Sequence, residues 1–230
     1  MKKYDLVLFD IDGTLLDFDK AERVGMKETL TRFGLRNDDE IINSYNEINV
    51  SHWKMFEKGE LSLEDLLVKR HEVLFARYGL KQDAAKFNDY YESRLKNCSY
   101  LVEHALEVLD YVKSKSCEMA IVTNGIYETQ TNRIILSNLN EYFQHVYISE
   151  KIGYSKPQKE IFEHIFKDLG GDIKKENALI VGDSLTSDIR GGNNFGIDTC
   201  WVNPKKLEND LDVKVDYEVQ SLLQLKNIIA

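Results

Sequence analysis

Four consecutive apolar residues, Leu6 to Phe9, run directly into Asp10-Ile11-Asp12-Gly13-Thr14. An unbroken apolar run bounded by charge suits a strand buried on both faces, as in a parallel sheet. While the chain stays extended, alternation turns Asp10 and Asp12 to one side and Ile11 to the other. Two carboxylates then stand at a strand's C-terminal end, where open α/β sheets place their ligands. That pair suits a magnesium ion and attack on phosphorus. Asp and Gly are also ordinary turn residues, and an acid-rich loop can bind calcium. Counting from Asp10, however, the sixth position is Leu15 and the twelfth is Ala21. A calcium loop needs glycine and glutamate there, so that use is excluded.

The next convincing strand is Glu118 to Val122. A parallel crossover needs about a dozen residues, usually a helix, and Val102 to Ser116 supplies one. Roughly eighty residues, from about Asp17 to Asn97, are left over, far beyond an ordinary loop. Their patterning is helical over Ala21–Phe33, Asp39–Phe56, Ser62–Tyr78 and Asp83–Lys96, with Ser62 and Asp65 as cap-like residues. Gly34, Gly59 and Gly79 fall near the breaks, and both prolines lie elsewhere. The stretch reads as a helical unit inserted on two linkers just after the acids.

Beyond Val122, strands at His145–Ser149, Ala178–Val181, Thr199–Val202 and Tyr217–Val219 alternate with helices. The helices fall at Glu128–Leu139, Gln158–Leu169, Leu185–Phe195 and Leu222–Ile229. Such alternation predicts an α/β parallel sheet with helices on both faces and right-handed crossovers. The expected organisation is a core of residues 1–16 and 98–230 with an all-helical cap at 17–97.

The formal charge of −9 repels polyanions, so a nucleic-acid polymer is not expected as a partner. A small phosphate ester can still bind where a cation and backbone N–H groups make the field locally positive. No apolar run approaches the ~18 residues of a membrane span, so no membrane partner is expected. Cys98, Cys117 and Cys200 are odd in number and far apart. Disulfide and zinc frameworks are therefore poor readings, and a reducing cytoplasm is the expected setting.

Three further polar clusters follow apolar segments. Thr123-Asn124-Gly125 comes after A-I-V, Lys156-Pro157 lies in Y-S-K-P with Pro157 placed to start a helix, and Gly182-Asp183-Ser184 follows L-I-V with Asp188 one turn later. Singly, each has an ordinary explanation: a helix cap, a solvated lysine, a turn. In order, D-x-D-G-T, T-N-G, K-P and G-D-x-x-x-x-D resemble the haloacid dehalogenase superfamily of phosphatases along the whole chain. The resemblance implies a Rossmann-like core with an inserted helical cap. It assigns Asp10 as the nucleophile that forms an aspartyl-phosphate and Asp12 as general acid, then general base. It also implies Mg²⁺ held by Asp10, the backbone carbonyl of Asp12, and Asp183, with Asp188 acting through water or by holding the lysine. Thr123 and the backbone N–H of Asn124 would hold phosphate oxygens, and Lys156 would neutralise charge on the transferring group and on Asp10.

The dehalogenases that name the superfamily lack the second acid, so Asp12 argues for phosphate chemistry. Asn49, Trp53, Gly59 and Arg70 in the insert, Gln130 after T-N-G, and T-C-W-V-N at Thr199–Asn203 resemble pyrimidine 5′-nucleotidases. On that resemblance Trp53 and Arg70 would contact substrate. A tryptophan packed within the insert and an arginine paired with a neighbouring acid are the structural alternatives. The competing substrates are a sugar phosphate, an acylneuraminate phosphate or phosphoglycolate. A non-catalytic phosphate-binding regulatory protein is the rival of another class.

Overall fold

Every residue of β1 (Leu6–Phe9) is buried because the strand lies inside a sheet with a helical layer on each face. Val7 and Phe9 face one core, packed with α5 (Ala105–Ser114) through Ala105, Val108, Leu109 and Val112. Leu6 and Leu8 face the other, with Ile161, Phe162 and Ile165 of α8 (Lys159–Leu169). Alternation therefore buries both sides, which explains why the run shows no polar residue. Each such side chain contributes roughly 1.5–3 kcal/mol on burial.

The computed structural model describes residues 2–170 and 173–230. Among them the other strands are β2 (Glu118–Thr123), β3 (His145–Ile148), β4 (Ala178–Gly182), β5 (Asp198–Val202) and β6 (Tyr217–Val219). All pairings are parallel, and the strand order is β3-β2-β1-β4-β5-β6. Phe9 is level with Ile121 on one side and Val181 on the other. Asp10, Thr123 and Asp183 therefore come off three adjacent strands at one edge. The direction of chain growth reverses about β1 and β4, and such a switch point leaves a crevice beyond the strand ends.

The chain packs as two units, residues 1–17 with 100–230 and residues 18–99. The second consists of α1 (Phe18–Arg32), α2 (Asp39–Glu57), α3 (Leu63–Tyr78) and α4 (Ala84–Leu95). Asp38, Ser62 and Asp83 cap the last three, each accepting from a backbone N–H three residues on. Asp65 provides the N–H that Ser62 accepts. Gly79 ends α3 at φ +63°, a left-handed conformation that glycine adopts without a Cβ penalty. Among the described residues no helix is long and apolar enough to cross a membrane.

Several elements differ in detail from expectation. α1 begins at Phe18 instead of Ala21, and α5 is shorter because Leu101 bridges to Leu16. Ser149, expected as the last residue of a strand, instead opens a short helix, α7 (Ser149–Ile152). The segment expected as one helix over 185–195 opens with a π-helical turn, Leu185–Ile189, before α9 (Arg190–Phe195). That wider turn lets Asp188 point back at the sheet edge. The last segment, Leu222–Asn227, is 3₁₀-helical. Pro157 precedes α8 by two residues instead of opening it.

Candidate active site

Asp10 leaves β1 with its backbone N–H donating to the Val181 carbonyl at 2.9 Å, which keeps the strand geometry one residue past its end. Its carboxylate is nearly buried. The Lys156 ammonium donates to Asp10 Oδ1 at 2.6 Å, to Asp188 Oδ1 at 2.6 Å and to the Val122 carbonyl at 2.8 Å. Lys156 is 1% exposed, so all three donors of the ammonium are used inside the protein. Burial alone would favour its neutral form. The two carboxylates overcome that and hold the ammonium well above the ordinary lysine range.

The loop carrying Lys156 is fastened to the T-N-G turn by a reciprocal pair. Asn124 Nδ2 donates to the Lys156 carbonyl and the Lys156 N–H donates to Asn124 Oδ1, both at 2.8 Å. The Asn124 side chain thus serves the lysine loop. The Thr123 hydroxyl accepts from the Gly125 N–H at 3.2 Å and from Gln130 Nε2 at 2.9 Å. A hydroxyl that accepts twice keeps its own proton to donate, as a phosphate oxygen would require.

Asp183 ends the β4 edge, and its backbone carbonyl accepts from the Trp201 indole N–H at 2.8 Å. This contact gives T-C-W-V-N a structural reason: Trp201 anchors the loop that carries Asp183. Asn203 of the same run binds the Leu207 carbonyl and Glu218. One carboxylate oxygen from each of Asp10, Asp183 and Asp188 can be drawn together within 4.8 Å. Glycine lets them approach. A Cβ on Gly13 would lie 2.4 Å from Asp183 Oδ2, and one on Gly182 would lie 2.2 Å from Asp188 Oδ2. Asp188 also accepts from the Ser184 N–H at 3.0 Å, which fixes it against Lys156.

Crowding and burial raise the affinity of Asp10 and Asp183 for protons. Burial pushes the Asp10 carboxyl up to about 7, with Lys156 opposing and Asp188 adding to the rise. Asp183 is raised well above the carboxylate range by surrounding protein and by repulsion from Asp10 and Asp188. Its side chain keeps a face open to water, so repulsion is the cause we stand behind. A divalent cation is the direct physical remedy for such a cluster, and an all-oxygen donor set suits a hard ion.

The Asp12 carboxylate turns elsewhere. Its Oδ2 accepts from Gln130 Nε2 at 2.7 Å and its Oδ1 from Arg133 Nη1 at 2.6 Å. Any ligand from Asp12 to the acid cluster would therefore be its main-chain carbonyl. Sequence reasoning noted Gln130 only within a motif and missed Arg133. The available signal was the inward stripe of α6 (Tyr127–Leu136), which carries Thr129, Gln130 and Arg133 where apolar residues would be usual.

The structure corrects the expectation for Arg70. It is 1% exposed within the helical unit, donating to Asn49 at 3.0 Å, Asn88 at 2.8 Å and Glu92 at 2.7 Å. Asn49 in turn donates to Glu22 at 2.6 Å. Arg70 and Asn49 hold all four helices of this unit together through buried polar contacts, the structural alternative to substrate binding. Trp53 is half-buried and meets Phe56 edge-on at 5.7 Å.

A family model described as haloacid dehalogenase-like hydrolase matches residues 7–202. Pyrimidine 5′-nucleotidase PynA of Streptococcus pneumoniae is 37% identical, covering 98% of this chain and 97% of its own. Pyrimidine 5′-nucleotidase YjjG of Escherichia coli is 28% identical, covering 99% and 98%. Glyceraldehyde 3-phosphate phosphatase of Pyrococcus furiosus is 31% identical, covering 100% and 94%. Among solved structures, YfnB from Bacillus subtilis, crystallised bound to magnesium, superposes with a TM-score of 0.94 at 32% identity and 99% coverage of both chains.

Proposed function

The chain belongs to the haloacid dehalogenase-like hydrolase family and is an enzyme of the phosphoric monoester hydrolase class, and from that premise we propose that it hydrolyses nucleoside monophosphates through an aspartyl-phosphate on Asp10. The observation that carries the reading is the Asp10–Lys156–Asp188 chain at the sheet's switch point, with Asp183 and Thr123 beside it. Lys156 occupies Asp10 Oδ1 and leaves the second oxygen for attack on phosphorus. The ester oxygen departs with the bonding electrons and takes a proton from Asp12. Water then attacks phosphorus, Asp12 takes its proton, and the bond to Asp10 breaks to return the carboxylate and inorganic phosphate. Dividing one displacement into two is the gain from a covalent carboxylate, and fixed charges around the phosphoryl group lower both barriers.

Asp10, Asp183 and the Asp12 carbonyl would hold Mg²⁺, with Asp188 positioned to steady Lys156. When bound, the ion neutralises charge on the phosphoryl oxygens and the carboxylates. Its binding must compete with protons. Asp10 is raised to about 7 in the folded protein, so stability associated with its proton is present below ~4 and lost as pH rises through ~7. We expect magnesium to raise the melting temperature more at pH 8 than at pH 5.5, where Asp10 is protonated. Thermal melts in chelator and in excess magnesium at both pH values measure this. An equal or larger gain at pH 5.5 would remove the acid cluster from metal binding.

The nucleotide assignment rests on similarity to PynA and YjjG and on Trp53 as a surface aromatic for stacking a flat base. A base–aromatic stack is worth roughly 1–3 kcal/mol, or about one to two orders of magnitude in ranking substrates. Ranked by kcat/KM, UMP, dUMP and dTMP should lead glyceraldehyde 3-phosphate and phosphoglycolate by at least ~10-fold. A panel led by glyceraldehyde 3-phosphate would replace the nucleotide assignment with the triose phosphate one.

A further inference from the structure

We infer that Gln130 and Arg133 are positioning residues for Asp12, a fork that holds the acid–base carboxylate in place for both proton transfers. The inference rests on the aspartyl-phosphate reading above. Both oxygens of Asp12 are held from one helix face, Oδ2 by Gln130 at 2.7 Å and Oδ1 by Arg133 at 2.6 Å. The two donors are three residues apart on α6, so they lie side by side. They are also tied to each other, with Arg133 Nη1 donating to Gln130 Oε1 at 3.0 Å.

Placing an arginine here is costly in itself. Arg133 is 1% exposed, whereas the Asp12 side chain keeps 27% of its surface. The cation is thus sunk behind the carboxylate, and the carboxylate is presented outward. A buried guanidinium carries a desolvation penalty that its partners must offset. A brace that only held α6 to the sheet could be built from apolar contacts at lower cost. Gln130 further joins the fork to the phosphate-facing hydroxyl, since its Nε2 also donates to Thr123 Oγ1 at 2.9 Å. Gly125 accommodates this link, because a Cβ there would lie 2.5 Å from Gln130 Nε2. The side chains that would hold the phosphate oxygens and move the proton are therefore set by a single helix.

A proton donor matters in proportion to the basicity of the leaving group, and this separates positioning from bracing. p-Nitrophenolate departs without a proton, whereas the alkoxide released from UMP needs one. Single-turnover release, with enzyme in excess, reports the first step for each ester. Arg133→Gln should slow release from UMP by ~10²-fold and p-nitrophenolate release by less than ~5-fold, the same pattern as Asp12→Asn. Arg133→Lys should recover part of the UMP rate. Gln130→Ala should give a smaller loss with the same selectivity, and it keeps the proposal open to test if Arg133→Gln does not fold. Equal losses on both esters, or no loss on UMP, would overturn the proposal. Absence of phosphate release by the unaltered protein would instead overturn the phosphatase reading, and this proposal with it.

Discussion

Asp10→Asn should lower turnover by at least ~10³-fold while leaving the protein folded. The substitution removes the negative charge that makes the side chain a nucleophile and keeps its shape. The substituted amide oxygen can still accept from Lys156, which also retains Asp188 at 2.6 Å and the Val122 carbonyl at 2.8 Å. One of three crowded carboxylates is lost, which relieves the repulsion that raises Asp183. Acid quenching during turnover should trap hydroxylamine-sensitive phosphate on the unaltered protein and none on the variant. Near-normal turnover by the variant would overturn the covalent route and leave direct attack by water.

Lys156→Met should damage both activity and stability. Removing the ammonium leaves Asp10 and Asp188 buried beside an apolar chain, each without the cation that stood 2.6 Å away. Breaking a buried ion pair from one side costs about 3–5 kcal/mol, because the remaining charge is uncompensated. For a chain of this size, each kcal/mol corresponds to roughly 2–4 °C, so melting should fall by roughly 6–20 °C at neutral pH. The loss should be smaller at pH 5. Without Lys156, which opposes the rise, the folded-state Asp10 carboxyl climbs further, so the stability its proton contributes is present in acid and is lost as pH increases. Turnover should fall by at least ~10³-fold, since charge on the transferring phosphoryl group also loses its fixed cation. Melts at pH 5 and 8 in chelator, with phosphate release at pH 7.5, test both effects. A variant as stable as the parent at pH 8 would mean that the two acids are protonated or solvated in the fold.

The two expectations differ because the residues face different demands. Asp10 carries its charge one residue past the end of a strand, where the proposed chemistry requires it. Lys156 carries its charge where the fold itself requires it, within the acid pair. The first variant should therefore be a well-folded, inactive protein suited to holding substrate, and the second a weakened one.

Much of this architecture is local and was legible in the chain. The run Leu6–Phe9 suits a strand buried on both faces, and the capped segments beginning near Asp38, Ser62 and Asp83 specify helices through their own hydrogen bonds. The order of acidic, hydroxyl, lysine and acidic motifs also sits in the sequence, each at the end of an apolar run. What the tertiary structure decided is which of these ends meet. Lys156 reaches Asp10 across 146 residues and Arg133 reaches Asp12 across 121. Those distances close only because β1 lies between β2 and β4 in a common register. Strand order is a property of packing the whole sheet, and period-two alternation carries no information about neighbours. Burial of charge has the same origin. Arg70 and Arg133 look alike in sequence, and each lies on a helix's inward face. One meets Asn49, Asn88 and Glu92 and ties helices together; the other meets Asp12 just past the end of β1. The partner, supplied from far along the chain, determines the role.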